Sequence, residues 1–352
     1  MVKKKVTLRE LAKIAKVSHT TVARVLNNDP GVRDETKRRI LALADKYGYM
    51  PRNKEQELTS RKPNLLGLLV PDIKNPYHAE MARGIEDKAY EKGYNIIYCS
   101  TDYKSERLRT YVHLMKNAGV RGFIFSSARL HEEIIEKLIE ERFPLVLVNS
   151  RTIGENYNYV TCDNFKGAYI ITEYLIKLGY RKIALITGPP DLSSGIDRLK
   201  GYQQALKDYD IPHKKRFIHR GPFQTDTGYE ATMKLLALKD RPEAIFAGSD
   251  YFTMGVIRAM GEFKLNYPED MALVGFDDTD YAANQKISLT TVSQRKYEMG
   301  NLSVDILIDS IEQKHSGYIH KIVLEPELVL RESCGRLLRE NALKKTESDR
   351  AG

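Results

Sequence analysis

Residues 7–27 read TLRELAKIAKVSHTTVARVLN, and the folding of this stretch decides the rest. Thr7 followed by Glu10 is a capping box: the hydroxyl oxygen accepts from the third helical N–H, and the carboxylate reaches back to the cap N–H. Leu8, Leu11, Ala12 and Ala15 fall at helical spacing and form one apolar stripe. Lys16-Val17 makes a short turn. Ser18 is a good N-cap for a second helix, with Val22, Val25 and Leu26 facing inward. Two short helices bury little surface, so a third must complete the core. It is predicted from about Asp34 to Tyr47, with Ile40, Leu41, Ala44 and Tyr47 inside and Gly48 suited to a left-handed stop. The polar start of the second helix then faces outward through His19, Thr20, Thr21 and Arg24, as a recognition helix enters a major groove. Arg24 can reach a guanine or a phosphate.

Charge supports a polyanionic partner. The chain carries a net +9, and residues 1–62 hold 16 Lys/Arg against 7 Asp/Glu, which is the whole of the excess. The remaining residues balance at 40 of each sign. A solvated basic tail shows charge without apolar periodicity, whereas this segment has both. The 352 residues, 42% of them hydrophobic, suffice for two or three domains. There is no run of 18 apolar residues, so no transmembrane helix and no membrane partner are expected. Met1 to Lys5 is basic but leads into no apolar h-region, so no secretory signal is expected. Cys99, Cys162 and Cys334 are few, odd in number and without metal-ligand spacing. They point to a reducing, cytoplasmic setting without disulfides.

From Asn64 onward, apolar runs alternate with helical stretches. Candidate strands are residues 65–70, 95–99, 122–125, 144–148, 182–187, 244–247 and 271–276. Candidate helices are residues 78–92, 105–118, 131–140, 167–178 and 197–209. Such alternation predicts an α/β fold with doubly wound parallel sheets covered on both faces. The unit from Leu65 to Ser150 repeats in outline from Lys182 to Asp278, which suggests two lobes with a cleft between them. Ligands of such sheets bind beyond the carboxyl ends of the strands, so the polar residues there are the ones to examine.

The headpiece stretch, with Thr36-Lys37-Arg38-Arg39-Ile40 and Tyr47-Gly48-Tyr49-Met50-Pro51 after it, resembles the lactose/galactose-repressor (LacI/GalR) family. The resemblance continues to about Ser333. It implies a helix-turn-helix headpiece, a hinge helix and a dimerising, two-lobed periplasmic-binding-protein-like core. The expected boundaries are a headpiece over 1–50 and a hinge over 51–62. A first lobe covers 63–162 with 294–325, a second covers 163–293 with 326–333, and a charged tail covers 334–352. Departures from the family pattern are Lys16, where Gly is frequent in the turn, and Ala23, where Ser is usual. In the hinge, where the family usually has Ala-Arg-x-Leu, this chain has Glu55-Gln56-Glu57-Leu58; Leu58 matches the leucine that wedges into the minor groove.

The resemblance also sharpens the sites. Thr7, Ser18, His19, Thr20, Thr21, Arg24, Asn27 and Leu58 are the expected contacts to double-stranded operator DNA. In the cleft, Asn75-Pro76-Tyr77 looks like the turn whose ring packs on the effector. Arg198-Leu199-Lys200-Gly201-Tyr202 looks like the motif whose arginine clamps it, and Gly275-Phe276-Asp277-Asp278 like the motif whose first Asp accepts from ligand hydroxyls or amines. Asn149, Asp163, Ser249 and Asp250 complete the expected set. An arginine fork and a carboxylate across a cleft suit a ligand with several hydroxyls, and an aromatic face suits a sugar ring. The expectation is a repressor, homodimeric, whose operator binding is controlled by a small molecule, a sugar or related metabolite. No cofactor is expected. The chief alternative is a two-lobed solute-binding protein, which gives no reason for a basic headpiece. An enzyme is disfavoured: no dinucleotide or P-loop glycine pattern occurs, and the eight histidines are scattered.

Overall fold

The computed structural model describes residues 6–26, 29, 31–47, 49, 64–313 and 318–337. Contacts divide the chain into two units, 1–64 and 65–352.

In the first unit, α1 (Leu8–Ile14), α2 (His19–Leu26) and α3 (Asp34–Lys46) enclose Leu11, Ala12, Ala15, Val22, Val25, Ile40 and Ala44. The capping box forms as the sequence predicts. Thr7 N donates to Glu10 Oε2 at 2.7 Å, and Glu10 N donates to Thr7 Oγ1 at 3.3 Å. The turn after α1 places Lys16 at φ 52°, a left-handed position that costs a residue with a Cβ about 1–2 kcal/mol. Two expected core residues lie outside: Leu41 is 44% exposed and Tyr47 41% exposed. Leu41 sits one residue past Ile40, about 100° around the helix and off its stripe. Tyr47 is the C-cap, and Leu43 and Tyr49 pack against the core instead.

The second unit begins with β1 (Leu65–Val70), α4 (Pro76–Glu91), β2 (Asn95–Ser100), α5 (Ser105–Asn117), β3 (Val120–Ser126), α6 (Glu133–Glu140), β4 (Leu145–Val148) and β5 (Asn158–Cys162). It continues with α7 (Asn164–Lys177), β6 (Ile183–Thr187), α8 (Ser193–Asp208), β7 (Ile218–Arg220), α9 (Thr225–Leu236), β8 (Ala244–Ala247), α10 (Asp250–Glu262), β9 (Ala272–Val274) and a one-turn α11 (Asp280–Ala283). Last come β10 (Thr291–Ser293), α12 (Lys296–Glu312), β11 (Lys321–Leu324) and β12 (Glu327–Val329).

Two parallel sheets result. One has the order β11-β5-β4-β3-β1-β2 and the other β7-β6-β8-β9. Alternation sorts the first sheet's side chains. Leu66, Leu68, Val70, Ile124 and Val146 share a cluster with residues of α4 and α12, while Leu69, Phe123, Phe125 and Leu147 share one with α5 and α6. Each such side chain contributes about 1.5–3 kcal/mol by leaving water. In the second lobe α7 and α8 cover one face and α9 and α10 the other.

The chain passes between lobes three times: from β5 to α7, from β10 to α12, and from β11 to β12. The last two passages pair as antiparallel β10–β12. In the first lobe α4 and α12 meet backbone to backbone. A Cβ on Gly84 would lie 2.3 Å from Tyr297 O, and one on Gly300 2.5 Å from Met81 O. Among the described residues, no helix is long and apolar enough to cross a membrane.

A candidate DNA-reading helix and a candidate effector cleft

In the headpiece, Ser18 Oγ accepts from Thr21 N at 3.1 Å and lies 2.7 Å from Thr20 Oγ1. His19, Thr20 and Arg24 are exposed and Thr21 is half-buried. Thr7 is exposed, but its hydroxyl is engaged by Glu10 at 2.8 Å. One partnership was not legible in the sequence. Arg24 Nε donates to Asp29 Oδ2 at 2.9 Å and its Nη2 to Oδ1 at 3.3 Å, while Asp29 Oδ1 also accepts from Gly31 N at 2.9 Å. The guanidinium holds the Asp29 carboxyl below its usual range. Arg24 is therefore aimed by an internal fork before it meets any other acceptor. Asn27 and Leu58, with Glu55 and Glu57, lie outside the described residues, as does the expected hinge over 51–62.

In the core, strand ends converge between the lobes. Ser127 follows β3 at φ 55°, Asn149 follows β4 at φ 50°, and Asp277 follows β9 at φ 132°. Each leaves its strand in a left-handed turn that is uncommon for a residue with a side chain and clusters at functional positions. A cavity of about 10 Å³ remains among Tyr77, His78, Asn149, Arg198, Ser249 and Asp277, with Asn75, Ser127 and Phe223 at its edge. That is room for about one water molecule. It is too small to hold a sugar ring.

Arg198 is the centre. It is 2% exposed, with its guanidinium carbon 3.9 Å from the centroid of Phe276 and 5.5 Å from that of Phe223. Nε donates to Asn164 Oδ1 at 2.8 Å, Nη1 donates to Gly248 O, and Nη2 lies 3.8 Å from Asp277 Oδ1. Burial pushes the guanidinium down and Asp277 opposes that. Two other nearby carboxylates have partners of their own: Asp197 pairs with Arg151, and Asp191 with Arg129 at 2.5 Å. Both pairs join opposite lobes, as do Leu130 N donating to Asp191 O at 2.8 Å and Arg151 N donating to Ser193 Oγ at 2.9 Å.

Asp277 accepts from Ser249 Oγ at 2.7 Å through Oδ2 and from Gln294 Nε2 through Oδ1. Burial raises its carboxyl, against the pull of Arg198. Tyr77 lies against the cavity and donates its hydroxyl to Met299 Sδ at 3.7 Å. His78 packs edge-on against Tyr77 and hydrogen-bonds Ser126 Oγ at 3.1 Å through Nδ1. Burial pushes its imidazole down to about 3, so it is neutral.

Tyr77, Asn149, Arg198, Ser249 and Asp277 thus come together. Asp163 and Asp250 do not join them. Asp163 caps α7, its Oδ1 accepting from Lys166 N at 2.8 Å, and the next residue, Asn164, turns inward instead. Asn164 Nδ2 donates to Asn149 Oδ1 at 3.2 Å while its Oδ1 receives Arg198, so one amide aligns two cavity residues. Asp250 is an internal brace. Its Oδ2 accepts from Thr279 N at 2.8 Å and Thr279 Oγ1 at 3.1 Å, and its Oδ1 from Thr291 Oγ1 at 2.8 Å. Burial and the neighbouring Asp277 push its carboxyl up to about 7. Asn164, His78 and Phe223 were missed as site residues. A residue directly after a helix cap was the available signal for Asn164; for Phe223 there was none.

Known proteins agree with this division. Residues 7–52 match the family described as bacterial regulatory proteins, lacI family, and residues 172–334 match the periplasmic binding protein-like domain. The chain is 34% identical to catabolite control protein A of Priestia megaterium, over 86% of this chain and 91% of that protein. It is 32% identical to the HTH-type transcriptional regulator DegA of Bacillus subtilis, over 95% and 99%. Among solved structures, the lac repressor dimer bound to operator and the anti-inducer ONPF superposes with a TM-score of 0.74 at 25% identity, over 94% of this chain and 99% of that one. The transcriptional regulator CelR–cellobiose complex gives 0.69 at 28% identity, over 93% and 99%. With a reading helix at one end and a polar cleft built from two parallel sheets at the other, the chain belongs to the lacI family of bacterial regulatory proteins.

Proposed function

We propose that this chain is a transcriptional repressor of the cytoplasm. As a homodimer it presents two copies of α2 to a partly palindromic double-stranded operator. A small polyhydroxylated molecule, a sugar or related metabolite, binds where Arg198 and Asp277 face each other and sets the operator affinity. The observation that carries this is the convergence of Arg198, Asp277, Asn149, Ser249 and Tyr77 on one inter-lobe cavity, in a chain whose entire charge excess lies in the headpiece.

The cation and the carboxylate offer opposite hydrogen-bonding polarity to vicinal hydroxyls, which donate to one and accept from the other. Tyr77 and Phe223 supply apolar area beside them. Parting and closing of the lobes moves the start of the first lobe, and coupling of this kind is worth about 1–3 kcal/mol.

The test begins with enrichment of duplexes from a random pool on the full-length protein. Fluorescence anisotropy on the enriched duplex follows, with and without members of a sugar and metabolite panel that raise the melting temperature. Affinity is expected to fall steeply with salt and to change by about fivefold or more with a bound metabolite. Failure to enrich any duplex would overturn the regulator. Equal affinity with and without a stabilising metabolite would overturn the control by effector.

A further inference from the structure

We infer that Lys296 is a positioning residue: a first-lobe cation that grips the loop bearing Asp277 and ties it to α4. Its side chain is 2% exposed at the first residue of α12. An ammonium has three hydrogens, and three acceptors surround this one. Asp277 O lies at 2.5 Å, Asp278 O at 2.8 Å and Glu80 Oε2 at 3.1 Å. The acceptors come from both lobes. Asp277 and Asp278 follow β9 of the second lobe, whereas Glu80 lies on α4 of the first.

The gripped loop is one that needs holding. Asp277 and Asp278 stand in succession at φ 132° and 55°, conformations that persist only where the surroundings impose them. Lys296 fixes their carbonyls from one side, and Arg331 fixes the Asp278 carboxylate at 2.7 Å from another. The carboxylate facing Arg198 is thereby held in place by its own backbone.

The far end of the grip explains why a lysine suits the position. Glu80 is one turn along α4 from Tyr77, and α4 cannot slide on α12 because Gly84 and Gly300 hold the two backbones in contact. A shift of Asp277 is therefore passed through Lys296 to the helix that also carries Tyr77. A buried methionine of similar length fills the same space but grips neither carbonyl nor carboxylate.

This rests on the reading of the cleft as the effector site, but its first test needs neither effector nor operator. Lys296→Met in the full chain is compared with wild type by hydrogen–deuterium exchange at single-amide resolution. The reporters are Leu130 and Arg151, whose N–H groups donate across the lobes to Asp191 O and Ser193 Oγ, remote in sequence from the substitution. Loss of the grip is expected to speed exchange at both by about tenfold or more while β3 amides keep their wild-type rates. Wild-type rates at Leu130 and Arg151, with loosening confined to residues 277–279, would overturn the inference, because that is all a local structural role predicts. Glu80→Gln leaves the lysine in place and should move the same two amides less, so a misfolded Lys296→Met variant does not end the test. The affinity of the variants for an enriched duplex should then change by about fivefold or more. An altered exchange pattern with duplex affinity within twofold of wild type would overturn the link to α4. If wild type itself enriches no duplex, the regulator reading fails while the exchange result stands.

Discussion

Two arginines show how differently the two units of this protein use the same side chain. Arg24 is half-exposed on α2 and forked onto Asp29. Arg198 is enclosed between two phenylalanine rings, with an amide, a carbonyl and a carboxylate as its partners. Water competes for the first pair, so its partner can be exchanged for a phosphate or a base edge at little cost. The second has no water to fall back on, and every group around it depends on its presence. The exposed fork keeps its charges replaceable; the buried cluster fixes them.

The sharpest way to break that contrast is Arg198→Ala. It strands Asp277 in a buried site and leaves Gly248 O and Asn164 Oδ1 without their donor, and is expected to cost the core about 3–5 kcal/mol in urea unfolding. A loss under about 1 kcal/mol would mean the arginine is replaceable after all.

Titration next contrasts two buried groups within the second unit, one in each lobe. Asp250, raised to about 7, contributes stability that is full below about pH 4 and is lost as pH rises through 7. His78, lowered to about 3, runs the other way: its contribution is full above about 6.5 and is lost as pH falls toward 3. The two slopes oppose each other between about pH 4.5 and 6.5. Asp250→Asn removes one of them, so the variant should gain on wild type as pH rises, by up to about 1.4 kcal/mol per pH unit. A constant difference between the two proteins across that range would contradict the buried carboxyl.

A smaller effect is expected from Lys16→Gly. It relieves a left-handed lysine and should stabilise α1 and α2 by about 1 kcal/mol, read from amide exchange of Leu11 and Val22 in the full chain. Slower exchange supports the turn geometry and unchanged exchange refutes it. The smallest effect on folding belongs to Asp29→Asn, the counterpart of the first variant. Headpiece exchange should stay near wild type while Arg24 is released. Wholesale unfolding of α2 would show that the exposed fork is as indispensable as the buried one.

The headpiece was legible almost residue by residue because local chemistry writes it: a capping box, a short turn, a Ser cap and a 3.6-residue stripe. Its error, Leu41 and Tyr47 inside, came from counting as core a residue about 100° off the stripe and the helix C-cap. The buried parallel strands were legible as apolar runs. β5, with the sequence NYVTC, was not, because it carries polar residues, and β7, β10, β11 and β12 are only three or four residues long. Strands like these are decided by neighbours distant in the chain. The cleft was legible as a motif list, but not its division of labour. Spacing alone did not distinguish Asp163 from Asn164, since a helix cap consumes the first and frees the second. Nor did it separate Asp250, satisfied within its own lobe, from Asp277, satisfied from both.

The strand order of the larger sheet bears on how the chain is made. Its outermost strand, β11, is drawn from residues 321–324 and pairs with β5 at 158–162. Helix α12, which covers Leu66, Ile124 and Val146, also arrives late. During synthesis the first lobe therefore waits, one face covered by α4 without α12, until β6 to β10 of the second lobe have emerged. The second lobe is finished later still, when Ser333 O accepts from Leu273 N. Neither lobe exists as an uninterrupted stretch of chain: a nascent polypeptide halted near residue 290 has every strand of the smaller sheet but a larger sheet that still lacks β11. Such chains expose apolar surface and an unpaired strand edge while synthesis continues, which makes them prone to aggregation.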